Sequence, residues 1–151
     1  MENHTPMEFE ISEATIDDII SISHQIPEFH DPYGRQEYEK RLKEVPFLAL
    51  KAVCKGKDAG FKLGYEMNKD YFYSWFGGIL PEYRQAGIAH ALATAQEKWA
   101  KSKGYKFIHL KTRNMFKPML IFALKNGFNI LKIEEREDIR EHRILLEKSI
   151  Q

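Results

Sequence analysis

Arg84, Gln85, Ala86, Gly87, Ile88 and Ala89 stand in the order R-x-x-G-x-A at the entrance to a helical pattern, within the stretch "PEYRQAGIAHAL". The first amides of a helix lack internal acceptors, and with the helix dipole they form a seat for an anion such as phosphate. Residue types here suit that chemistry. They are small where a ligand has to touch backbone, there is a guanidinium at the rim, and the glycine permits close approach at a helix cost of ~1 kcal/mol relative to alanine. An ordinary loop glycine ahead of a helix would leave the same six letters, so the neighbouring residues decide between the two readings. Gly77 and Gly78 lie inside the preceding aromatic run, where glycine marks a bulge or a close backbone approach; a strand that splays there opens a slot along its edge. Two rival phosphate sites are excluded, since a P-loop needs Gly-Lys-Ser/Thr and a dinucleotide fold needs Gly-x-Gly-x-x-Gly.

Other reactive side chains point to less. His24, His30, His90, His109 and His142 show no paired ligand spacing, so no metal site is expected. Cys54, the single cysteine, sits in an apolar run and reads as packing rather than as a nucleophile; no disulfide can form within the chain, which suits a reducing interior. Tyr71, Tyr73, Trp75 and Phe76 resemble a stacking platform for bases, but in an alternating strand they read as core, with Trp75 placed to wall a cleft. The charged run "EEREDIREHR" reads as a solvated hairpin tip.

Lys and Arg (23) balance Asp and Glu (22), so no global basic field favours nucleic acid or an anionic membrane. The opening "MENHTPMEFEISEAT" lacks the basic-then-apolar layout of a secretory signal, and nowhere do ~18 apolar residues run together. A cytoplasmic protein is expected. At 151 residues, 43% hydrophobic and 30% charged, the chain fits one globular domain, residues 1–151.

The elements that must position these residues follow from periodicity. "MEFEIS" alternates as a strand, and Thr15 with Asp18 forms a helix N-cap pattern ahead of Ile16, Ile19 and Ile20. "IPEFHDPYG" reads as a connection to a second helix carrying Tyr38, Leu42 and Val45. Three strands follow, "FLALKAVC", "AGFKLGYEM" and "DYFYSWFGGIL", joined by short polar turns and hence antiparallel. After Gly87 a long helix carries Ile88, Leu92, Ala95 and Trp99 on one stripe and ends at Lys103-Gly104. "YKFIHLKT" is the next strand, parallel to the one before the helix. Pro118 opens a last helix that ends at Asn126-Gly127, and "FNILKIEE" and "HRILLEKSI" close the chain as a hairpin. The expected fold is a mixed α/β sheet of six to seven strands, mostly antiparallel, with flanking helices and one splayed parallel pair.

With those elements in place, the chain resembles the GNAT superfamily of acyl-CoA-dependent N-acetyltransferases along nearly its whole length. "ILPEYRQAGIAHALATAQEKWAKSKGYKFIHLKT" is similar to that family's acetyl-CoA-binding segment, and "MLIFALKNGF" to its following helix and terminal Gly-Phe. The resemblance implies that the backbone of Arg84 to Ala89 cradles the pyrophosphate of acetyl-CoA. It implies too that the strand through Gly78, Ile79 and Leu80 pairs with the pantetheine arm, and that an amide near Ile79 donates to the reacting carbonyl oxygen. Two positions depart from the common pattern. Ala123 stands where many members carry a tyrosine that protonates the departing thiolate, and Phe116 stands where a CoA-contacting asparagine is frequent, with Asn114 two residues earlier as its substitute.

An amine must be neutral to attack, yet an unperturbed alkylamine has pKa ~10.4, so a proton acceptor is needed. Glu66, near the end of the strand beside the glycine-bearing one, is the preferred base, against a plain solvated strand-end carboxylate. Glu28 is its competitor and would otherwise draw a cationic acceptor into the loop, with Tyr33 or His30 in contact. The implied activity is transfer of acetyl from acetyl-CoA directly to a primary amine of a small molecule or peptide. The alternative is a non-catalytic CoA-binding sensor, which Ala123 keeps open. Homodimers are common in the resembled family, and the closing hairpin offers a surface for one without requiring it.

Overall fold

The structure, a computed structural model, describes residues 7–29 and 31–151. In chain order the elements are β1 (Glu10–Glu13), α1 (Ile16–Ser23), α2 (Arg35–Leu42), β2 (Phe47–Cys54), β3 (Lys57–Glu66) and β4 (Tyr71–Ile79). A 3₁₀ turn (Pro81–Tyr83) leads to α3 (Ile88–Ser102), followed by β5 (Phe107–Arg113), α4 (Lys117–Lys125), β6 (Asn129–Glu134), a second 3₁₀ turn (Ile139–Glu141) and β7 (Arg143–Ser149). The strands form a mixed sheet in the order β1-β2-β3-β4-β5-β7-β6. Pairs β1–β2, β2–β3, β5–β7 and β6–β7 are antiparallel, and β4–β5 is parallel. The element order is the one the periodicity predicts. The parallel register covers Tyr71–Tyr73 against Phe107–His109, while β4 runs on to Ile79.

By internal packing the chain divides into two compact units, Met1–Tyr65 with Phe76–Lys98 and Glu66–Trp75 with Trp99–Gln151. In the first, Thr15 caps α1 with a full capping box: its hydroxyl accepts from the Asp18 amide at 3.1 Å, and its amide donates to Asp18 Oδ2 at 2.9 Å. Ile19, Ile22 and Ser23 are the fully buried residues of that helix. Lys55 (φ 51°) and Gly56 (φ 78°) make the two-residue turn between β2 and β3, the primed geometry that matches strand twist. Val45 falls past the end of α2, whose apolar face is Tyr38 and Leu42. Around Phe76 gather Phe61 (5.1 Å between ring centroids), Tyr33 (5.5 Å), Phe29 and Tyr38 (both 6.0 Å).

In the second unit Phe72 packs edge-on against Trp99 at 5.4 Å and lies tilted against Tyr105 at 5.3 Å, and Tyr71 stacks on Phe107 at 5.1 Å. Leu110, Ala123, Ile144 and Leu146 form an apolar cluster, backed by Met119, Leu120 and Phe128. The stripe on α3 differs from the expected one: Ile88, Leu92, Gln96 and Ala100 are its buried residues, at strict i, i+4 spacing, while Ala95 and Trp99 flank it. A polar residue holds an inward position there, which a hydrophobic pattern passes over.

Lys62, half-buried on β3, has its amine pushed down to about 8 by burial. The folded chain therefore binds fewer protons than the unfolded one between pH 8 and the ordinary lysine value of 10.5. The ammonium costs stability fully below pH 8, and that cost lifts as pH rises towards 10.5. Lys62→Met is accordingly expected to melt about 2 °C or more above wild type at pH 7, the gap closing by pH 10.5 in a series of melting curves. A gap independent of pH would remove burial of the charge as its cause.

Candidate active site

The connection from β4 to α3 is built by short-range bonds. Leu80 ends the strand with its amide on the Ala59 carbonyl at 2.9 Å, the Tyr83 amide reaches the Leu80 carbonyl at 2.9 Å, and the Arg84 amide reaches that of Pro81 at 3.3 Å. Two left-handed residues then turn the chain into the helix, Gln85 at φ 62° and Gly87 at φ 83°. The first helical bond is from the Ala91 amide to the Gly87 carbonyl, at 3.0 Å. None of the amides of Gln85, Ala86, Gly87, Ile88 and Ala89 donates to a backbone or side-chain acceptor among the described residues. A Cβ built on Gly87 would meet nothing within 4 Å. Glycine is thus favoured at this position by its backbone angle, and the space above it is open. Unpaired amides at a left-handed turn ahead of a 15-residue helix are an arrangement that can bind an anion.

The glycine pair in β4 reflects a close approach made by the protein itself. A Cβ on Gly77 would stand 2.7 Å from the Phe61 carbonyl oxygen, and one on Gly78 would stand 2.6 Å from Ile26 Cδ1 and 3.2 Å from Phe29 Cζ. Gly60 on β3 answers them, with Gly78 O at 2.8 Å from its own missing Cβ. The segment after α1 is therefore seated directly on β4, one residue before Ile79.

Glu28 and Arg84, predicted separately as an acceptor-side carboxylate and a phosphate-side base, meet within the first unit. Arg84 Nη2 lies 2.5 Å from Glu28 Oε2, and Arg84 Nε donates to the Ile79 carbonyl at 3.0 Å. Both side chains are substantially exposed. Tyr33, in the same loop, is 38% exposed and has the Arg41 guanidinium 5.7 Å over its ring. His30 lies outside the described residues.

Glu66, the preferred base, belongs to the second unit and accepts a hydrogen bond from the Tyr105 hydroxyl at 3.0 Å. Burial, with the bond to Glu66 behind it, pushes that phenol up to about 12, so Tyr105 remains a donor throughout the neutral range. Trp75 is 7% exposed and leaves little of its ring for an acceptor. Asn114 directs Nδ2 to the Ile139 carbonyl at 2.9 Å, a bond that ties the end of β5 to the second 3₁₀ turn. Ala123 is 1% exposed in the apolar cluster of α4, and Phe116 stands largely exposed at that helix's N-cap. The Tyr105 partnership has no signal in the sequence, because 39 residues separate the two side chains. Among the described residues no group of three or more His, Cys, Asp or Glu is placed to hold a metal, and no helix is long and apolar enough to cross a membrane.

A seven-stranded mixed sheet with one parallel pair, whose fourth strand feeds a long helix, is the fold of the GNAT acetyltransferases. The sequence profile described as Acetyltransferase (GNAT) family matches residues 14–128, well over half of the chain, and the chain belongs to that family. Solved structures of the same fold include the ribosomal-protein-S18-alanine N-acetyltransferase from Escherichia coli, with TM-score 0.82 at 18% identity, covering 95% of each chain. Ard1 from Thermoplasma volcanium gives 0.79 at 16%, covering 95% of this chain and 98% of its own. The PaiA N-acetyltransferase from Thermoplasma acidophilum, solved in complex with coenzyme A, gives 0.70 at 21%, covering 95% and 99%. At such identities the likeness speaks for the fold. No curated protein sequence matches the chain. Family membership makes the protein an acetyltransferase with acetyl-CoA as its co-substrate.

Proposed function

We propose that residues 1–151 act as one catalytic domain, an N-acetyltransferase that delivers acetyl from acetyl-CoA directly to a primary amine of a small molecule or peptide. The observation that carries this reading is the turn at Gly87, open above the glycine and bearing amides that have no acceptor among the described residues. Those amides, from Gln85 to Ala89 with Arg84 at the rim, would hold the diphosphate. The edge of β4 at Gly78, Ile79 and Leu80 would hold the pantetheine arm. When bound, acetyl-CoA supplies an activated thioester whose sulfur leaves as a thiolate. Glu66 accepts the proton that the amine must lose, its carboxylate oriented by Tyr105, while Glu28 and Tyr33 meet the acceptor. No residue is asked to form a covalent intermediate. The name of the Escherichia coli neighbour places its own reaction on a protein alanine, which supports peptides among the acceptor classes here.

A second reading, a CoA-binding sensor without turnover, is favoured by one observation: the position expected to bear a phenolic acid is an alanine buried in the core. Calorimetry with coenzyme A and acetyl-CoA, followed by free-thiol release against a panel of polyamines, amino sugars, amino acids and peptides, separates the two. Binding with amine-dependent thiol release is the expected result. Binding without release for any amine would leave the sensor, and no binding of either ligand would remove both.

A further inference from the structure

The strongest unassigned arrangement outside the anion seat is the Glu28–Arg84 pair. The two residues lie 56 positions apart, so the contact comes from tertiary folding. Arg84 is held at two points, by the Ile79 carbonyl at 3.0 Å and by Glu28 Oε2 at 2.5 Å. One end of this bridge belongs to the turn with the unpaired amides, the other to the loop that seats Phe29 over Gly78. The guanidinium is the cation bound to Glu28 in the structure, and it is also the basic side chain closest in sequence to the anion seat at Gly87.

We infer that Glu28 is a specificity-determining residue for ammonium-bearing acceptors and that Arg84 holds its place: a diphosphate in the Gly87 seat draws the guanidinium away, and the freed carboxylate takes the acceptor's cation. This inference rests on the proposed acetyl-CoA site. Arg84 precedes Gly87 by three residues, and a doubly charged anion bound at that turn attracts its guanidinium more strongly than a single carboxylate does. Because both groups are largely exposed, the pair itself is weak, and the exchange runs without a large barrier to binding. Linkage then requires reciprocity: coenzyme A and a cationic acceptor each raise the other's affinity by the same factor, through these two side chains. It also makes Glu28 a selector against acceptors whose surroundings are anionic, since a second negative group beside it would be repelled.

Calorimetry with coenzyme A and spermidine tests this in wild type, Glu28→Gln and Arg84→Met, all at one ionic strength. In wild type, saturating coenzyme A is expected to lower the Kd of spermidine about 2- to 5-fold, the range an exposed ion pair allows. Glu28→Gln is expected to bind coenzyme A about 2- to 5-fold more tightly, because the carboxylate no longer competes, and to lose most of the coupling. Arg84→Met is expected to bind spermidine more tightly than wild type in the absence of coenzyme A, again with the coupling lost. Coupling that is absent in wild type, or that persists undiminished in Glu28→Gln, overturns the exchange while leaving the acetyl-CoA site standing. Failure of every variant to bind coenzyme A would instead remove the site on which the exchange rests. Melting curves on the three proteins confirm that comparisons are made between folded chains.

Discussion

Gly87→Val is expected to raise the Kd of coenzyme A at least about 10-fold, an energy of ~1.4 kcal/mol or more. The branched side chain enters the space that no described residue fills, over amides that have no acceptor among the described residues. Valine also strains the backbone, since φ 83° is a left-handed angle that β-branched residues avoid. Gly87→Asn separates the two effects. Asparagine tolerates the angle but still fills the space, so it is expected to melt close to wild type and yet bind coenzyme A weakly. Affinity retained in Gly87→Asn would mean that the glycine serves the turn alone, and that the anion sits elsewhere.

Removing the proton acceptor carries the second large effect. Glu66→Gln keeps an oxygen for the Tyr105 hydroxyl, so the fold is expected to survive, while kcat falls about 100-fold or more with the KM for acetyl-CoA unchanged. Tyr105→Phe keeps the carboxylate but frees its orientation; a smaller loss is expected, together with a fall in stability below pH 10 whose gap to wild type closes as pH climbs through 12. The sign follows from the phenol, which is raised from 10.0 to about 12 in the folded protein, so its contribution is complete below pH 10 and disappears as pH climbs through 12. Steady-state thiol release with wild type and both variants, on an acceptor found in the panel, gives the comparison. Unchanged kcat in Glu66→Gln moves the base to Glu28 or to water.

Local features of this fold were legible in the sequence because each has a local cause. Thr15 and Asp18 announce their helix by capping chemistry, Gly104 and Gly127 end theirs at φ 90°, and alternation marks β2, β6 and β7 nearly to the residue. The seat at Gly87 was legible for the same reason, since its glycine, small neighbours and arginine are contiguous. Distant partnerships were not. Neither Arg84 with Glu28 nor Tyr105 with Glu66 leaves any periodic trace, and Gln96 occupies an inward position that its polarity conceals. Gly77 and Gly78 in a strand signal a bulge or a close backbone approach; the approaching groups are the Phe61 carbonyl, Ile26 and Phe29.

The outermost strand, β6, exposes Ile130, Leu131 and Ile133 along a margin that, among the described residues, has no strand beside it on one side. Its pairing with β7 slips between Ile130 and Lys132, so Leu131 is an extra residue that bends the ribbon in the middle, and Lys132 follows it. A kinked rim carrying a positive charge makes a poor template for the endless stacking of one chain on the next, despite the oily residues it shows to solvent.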